Sequence, residues 1–132
     1  MKNFNLPVLG AGAGLRHEHF EDIIEKKLPF KWFEIISDDF FHIGGAVGEA
    51  FDRIRLQYPI VPHGVGLSIG STDPLDFEYL KKVKSLVRTL NAPWVSEHLC
   101  FTMVDHTNLE DLIPLPFTTE AVNNVVERAR IV

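Results

Sequence analysis

Ile60-Val61-Pro62-His63-Gly64-Val65-Gly66-Leu67 and Pro93-Trp94-Val95-Ser96-Glu97-His98 are two short apolar runs, each with a histidine near its end. Continuous apolar runs of this length read as strands covered on both faces, the pattern of a parallel sheet. An α/β protein places its chemistry at the ends of such strands. Two imidazoles delivered to one rim point to a metal site, because neutral imidazole is the commonest side-chain ligand. Glu97 and His98 point to opposite faces of an extended strand. His98 is therefore the candidate ligand, and Glu97 a supporting carboxylate.

The rest of the chain repeats this pattern. Strands are expected over 7–12, 31–37, 60–67 and 94–98, and helices over 17–27 and 45–57. A third helix is expected to start at Asp73 as N-cap with Pro74 as first residue, and to end at Asn91. A fourth starts near Thr118, with Glu120 against the positive end of its dipole. Apolar stripes at helical spacing mark the buried faces: Phe20, Ile23, Ile24, Leu28; Val47, Ala50, Phe51, Ile54; Leu80, Val83, Val87, Leu90; and Val122, Val125, Val126, Ala129. The excursion over 99–116 has room for a small hairpin. Four strand–helix units imply an α/β fold of parallel βα repeats with right-handed crossovers. A closed eight-unit barrel takes about 250 residues, so these 132 residues make about half of a TIM barrel. The chain is expected to be a single partial TIM-barrel domain over 1–132, truncated at the C-terminus. Such a piece has open sheet edges and an apolar inner face, and by itself is expected to self-associate.

Composition narrows the class. The hydrophobic share of 45% and charged share of 23% are those of a globular protein. The net charge of -5 argues against binding nucleic-acid phosphates. Lys81, Lys82, Lys84 and Arg88 read as a solvated helix face. Cys100 is the only cysteine, so no internal disulfide forms and a reducing compartment, the cytoplasm, is expected. The N-terminus, Met1 to Pro7, has no secretory-signal core. No apolar run approaches a membrane span.

Other motifs carry less. Gly10-Ala11-Gly12-Ala13-Gly14 lacks the G-x-G-x-x-G spacing of a dinucleotide site, since Leu15 stands where the third glycine belongs. Its glycines are better read as allowing close approach to neighbouring strands. Glu34, inside Trp32-Phe33-Glu34-Ile35-Ile36, is a costly residue to bury unless backbone amides or a cation satisfy it. Asp38 follows at that strand's exit. His17, His19, His42 and His106 are assigned surface or structural roles, and Cys100 that of a small buried residue. Two histidines make an incomplete metal site, and a catalytic one needs further ligands and an open position.

Six blocks taken in order carry a resemblance: Gly12-Ala13-Gly14-Leu15-Arg16, Trp32 through Phe40, Pro62 through Ser71, Asp73-Pro74-Leu75-Asp76, Val95 through Cys100, and Leu112 through Thr118. Together they resemble the multinuclear non-heme iron-dependent oxidative enzymes, whose barrel is of the xylose-isomerase-like kind. The resemblance implies a TIM barrel holding two or three irons as cofactor. It implies oxygen-dependent remodelling of cysteines or other residues in a ribosomally made peptide, often with a partner protein that presents the peptide. It places His63 and His98 at the family's first two histidine ligands, and Glu34 and Asp38 at its acidic positions. Asp38 stands where the family usually has glutamate, one methylene longer. The family's Glu-Asn motif on the fifth strand and its later His, Asp and Glu ligands are expected beyond Val132, so this piece alone is expected to be inactive. Two other functions fit the same residues: a divalent-metal isomerase, epimerase or hydrolase on the same barrel, and a non-catalytic half barrel that pairs with itself or another chain.

Overall fold

Phe33, Ile35 and Ile60 alternate along adjacent strands and turn their side chains to one side of a parallel sheet, where helices bury them. The computed structural model describes residues 5–26 and 28–132. The N-terminal residues Met1 to Phe4 and the expected helix end at Lys27 lie outside the described residues.

The elements in order are β1 (Ala13–Gly14), a 3-10 turn (His17–His19), α1 (Phe20–Glu25), β2 (Phe33–Ile36), α2 (Ser37–Phe40) and α3 (Gly45–Arg55). They continue with β3 (Ile60–Gly64), α4 (Phe77–Leu90), β4 (Ser96–Glu97), β5 (Cys100–Val104), β6 (Thr107–Pro114) and α5 (Thr119–Ala129). Strands β1 to β4 form one sheet in sequence order, every pair parallel. A helix intervenes at each crossover, as half-barrel βα units require. Strands β5 and β6 form a separate antiparallel hairpin, inside the 99–116 excursion.

The core lies between the sheet and its helices. Phe20 and Ile23 of α1, Phe40 of α2, Phe51 and Ile54 of α3 and Leu86 of α4 pack with Phe33, Ile35 and Ile60. Phe40 and Phe51 meet with ring centroids 4.7 Å apart. Burial of each such side chain stabilises the fold by about 1.5–3 kcal/mol. This core holds the strands in register, and one slipped residue would turn every side chain to the opposite face.

Four expectations shift. The first strand pairs only at Ala13–Gly14 rather than over 7–12, and Val8 is exposed. Trp32 lies so close to Gly12 that a Cβ there would meet its ring, and its indole N–H donates to the Gly10 carbonyl. Close approach thus accounts for a glycine of that cluster. Helix α4 is capped by Asp76, whose Oδ1 accepts from the Glu78 and Tyr79 amides at 2.8 and 3.0 Å. Asp73 is not available as the cap. Its carboxylate accepts from the amides of Asp105 and His106, both left-handed residues in the hairpin turn. The buried residues of α4 are Tyr79 and Leu86, while Leu80, Val83, Val87 and Leu90 are half-buried. Asn91 ends that helix in the left-handed conformation, as expected.

The largest correction concerns α5. Thr118 caps it through the Ala121 amide, but its expected core face looks outward: Val122 is 61% exposed, and Val126 and Ala129 are exposed too. The helix docks instead by polar side chains. Asn124 donates to the carbonyls of Gly70 and Ser71, and Arg128, only 8% exposed, donates to those of Asp73 and Ser68. Carbonyls of the loop after β3 offered that helix better partners than apolar surface did.

Asp76→Ala should destabilise the fold by about 1 kcal/mol in denaturant melts, the usual effect of losing an N-cap. Asp73→Ala should instead speed hydrogen exchange at the Asp105 and His106 amides while leaving α4 protected.

Candidate metal centre at the sheet rim

Register delivers the histidines. Ile36 of β2 aligns with His63 of β3, and His63 aligns with Ser96 of β4. These three lie on the face opposite the helix-covered core, the inner face of a barrel. His98 follows β4, and its backbone amide donates to the Gly64 carbonyl at 3.0 Å, which ties it to the end of β3. The two rings meet: His63 Nε2 lies 2.8 Å from His98 Nδ1, with centroids 5.0 Å apart and planes at 65°. His63 is half-buried and His98 exposed.

Ser96 holds the other nitrogen of the His63 ring. Its Oγ lies 2.8 Å from His63 Nδ1. When Nδ1 carries the proton and donates to Ser96, Nε2 is left with a lone pair aimed toward His98. That is the protonation state a metal-binding imidazole needs, with a partner that holds the far nitrogen and orients the ring.

Of the carboxylates, Glu97 alone contacts a residue of the pair. Glu97 aligns with Gly64, and its carboxylate occupies the space a Cβ at Gly64 would fill. Its Oε1 accepts from the His98 amide at 3.1 Å. Burial pushes the Glu97 carboxyl up to about 7, the His98 amide opposes that shift, and the charge of Asp38 adds to it. Asp38, in the first turn of α2, accepts from the Tyr79 hydroxyl at 3.0 Å. Glu34 is half-buried on the same face as Ile36 and His63. Among the described residues no hydrogen bond reaches its carboxylate, so the expected backbone amides do not satisfy it. Cys100 is buried, and burial followed by the charge of Glu97 pushes its thiol up, the opposite of an activated nucleophile.

Expected residues thus fall into two groups. His63 and His98 touch each other, and Glu97 and Asp38 share a neighbourhood at the same rim. Glu34 stands apart. Ser96 and Tyr79 were missed from sequence. Ser96 was within reach of it, because positions 96 and 98 share a side in an extended strand. Tyr79 had no comparable signal.

Among the described residues, no group of three or more His, Cys, Asp or Glu side chains converges to hold a metal ion. The donor chemistry nonetheless suits a partial site. Two imidazole nitrogens face one another, and the ion pairs among the described residues are surface pairs within helices or at their ends that leave Glu34, Asp38 and Glu97 without a cation. Imidazole nitrogens with carboxylate oxygens make a mixed N/O set of the kind divalent transition metals take. A cleft of about 480 Å³ opens past the end of β3, between Asp38, Gly66 and Tyr79 on one side and Met103, Glu110 and Leu112 of the hairpin on the other, and neither histidine lines it. Among the described residues no helix is long and apolar enough to cross a membrane.

The fold and site define a protein of parallel βα units with paired imidazoles at the C-terminal rim of its sheet. The family model described as "RiPP precursor modification enzyme MbnB/TglH/ChrH" matches residues 10–132, and the chain belongs to that family, whose description refers to ribosomally made, modified peptides. Its relatives include a UPF0276 protein of Anaeromyxobacter sp. (strain Fw109-5), 41% identical over 125 residues, covering 95% of this chain and 44% of the relative. A UPF0276 protein of Caulobacter vibrioides is 39% identical over 117 residues, covering 88% of this chain and 42% of the relative. One of Haemophilus influenzae is 36% identical over 125 residues, covering 92% and 40%. The chain therefore spans less than half the length of these relatives.

Glu97 gives this site a pH signature. Its raised carboxyl holds a proton in the folded state between pH 4.5 and about 7, where an unfolded glutamate has lost it. Stability should therefore fall as pH rises through that window and level off above it. In metal-free protein, Glu97→Gln should melt higher than wild type at pH 8, with the advantage shrinking toward pH 5.

Proposed function

We propose that the protein to which these residues belong is an iron-dependent, oxygen-using enzyme that oxidatively modifies a ribosomally made peptide. His63 and His98 are metal ligands in this proposal, and the chain is the N-terminal part of a TIM-barrel domain. The observation that carries it is the imidazole pair, 2.8 Å nitrogen to nitrogen, at the strand-end rim of a chain from a peptide-modifying family. The greater length of the relatives supports a domain with room for the remaining ligands.

In this reading His63 and His98 present neutral nitrogens to iron, and Ser96 holds the far nitrogen of His63 and so orients its ring. Iron supplies redox chemistry with oxygen that no side chain supplies. Glu97 supports the site through the His98 amide, and Asp38 stands near Glu97; neither is assigned a direct bond to the metal. The cleft beside the hairpin is the place for the peptide, whose reacting residue, often a cysteine, would reach the rim there. A partner protein that presents the peptide belongs to the same proposal.

Metal analysis of the protein at its natural length tests this. Wild type should carry iron, and His63→Ala and His98→Ala should each lose most of it. Iron content unchanged in either variant would remove that histidine from the ligand set. Zinc or manganese in place of iron would favour an isomerase or hydrolase on the same barrel.

A further inference from the structure

Helix α5 differs from the longer helices before it. α1, α3 and α4 each lie between two paired strands, and each buries apolar side chains: Phe20 and Ile23 in α1, Phe51 and Ile54 in α3, Leu86 in α4. α5 buries only Arg128. Asn124 and Arg128 clamp its polar side to the carbonyls of the β3–α4 loop, so the helix is fixed with its valines outward.

Those valines belong to a larger apolar face. Val122, Val125 and Val126 line a groove of about 700 Å³ together with Leu99, Leu115 and Phe117, and among the described residues no charged side chain lines it. Phe117 is fully exposed, and Leu99 is 64% exposed. Leu99 stands two residues past β4, which brings the groove to the edge of the sheet. That edge is open, since among the described residues β4 pairs with β3 alone. Ser96 shares the inner face with His63, so Val95 is on the helix side of β4, and it too is exposed.

Three observations choose what covers this face. A large apolar surface without charge has the character of a permanent interface, because transient ones are about as polar as the rest of a protein surface. A parallel strand takes its next neighbour through a crossover helix, and α5 is the helix that follows β4. The relatives run to more than twice this length, the chain covering 44% and 42% of two of them.

We propose that the groove along α5 and the free edge of β4 form an intramolecular interface. In the protein at its natural length they receive the strand and helix that follow α5, rather than a second copy. The proposal rests on reading the chain as the N-terminal part of a longer domain, and not on iron.

Photocross-linking identifies the occupant. Phe117→p-benzoylphenylalanine keeps an aromatic ring at a fully exposed position and disturbs no packing. The variant is made in the protein at its natural length, purified and irradiated. Its mass under denaturing conditions should remain that of one chain, and its digest should join position 117 to a residue beyond 132. A product of twice the mass overturns the proposal. So does a link to another polypeptide, a link only within residues 5–132, or no link at all. Val122→Asp gives an independent reading. It should lower the melting temperature by about 5 °C or more relative to Leu56→Asp, a change at an 81% exposed position at the end of α3, because only the first buries a charge. Equal melting temperatures overturn the proposal.

Iron content and mass, measured on the same protein, keep the readings apart. A missing cross-link in protein that holds iron overturns the docking alone. A cross-link beyond 132 in protein without iron supports the docking and counts against the oxidase reading. A natural protein with the mass of residues 1–132 overturns the longer-domain reading and the docking together.

Discussion

The alignment of β3 with β4 governs the site. It sets His63 beside Ser96 and lets His98 turn back to within 2.8 Å of the His63 ring. The aromatic and aliphatic core on the opposite face holds β2 against β3, since Phe33, Ile35 and Ile60 cannot leave it without exposure, and the His98 amide bond to the Gly64 carbonyl holds the end of β4 to β3. Packing on one side of the sheet therefore determines chemistry on the other, because side chains alternate.

Charge placement follows the same logic. The ion pairs among the described residues sit on exposed helical surfaces, where each is worth little. At the rim, Asp38 and Glu97 stand close enough for one to raise the other, and a phenol rather than a cation accompanies them. Burial of the Glu97 carboxyl costs stability once it ionises, as its raised titration shows. Glycine at positions 64 and 66 is the sequence feature that permits the crowding.

Much of this was legible in the amino-acid order. Continuous apolar runs gave the parallel sheet, and helical spacing gave α1 and α3. Asn91 and Thr118 marked helix ends correctly because capping is local chemistry. The failures were tertiary. Asp73 satisfies the local rule for a cap, but hairpin amides some thirty residues away claim its carboxylate. The valine stripe of α5 satisfies the rule for a buried face, yet Asn124 and Arg128 found carbonyl partners on the β3–α4 loop. Within the site, the histidines were visible as strand ends. The Tyr79 hydroxyl's contacts with Asp38 and Gly66 were not, because they depend on α2, the β3 exit and α4 coming together.

The most direct measurement is an anomalous-difference map, recorded at the iron absorption edge, from crystals of the protein at its natural length. A shared centre would place iron within bonding distance of both the His63 and the His98 rings. A peak elsewhere in the barrel, or one bonded to neither ring, would contradict the assignment of these two imidazoles to a common iron centre.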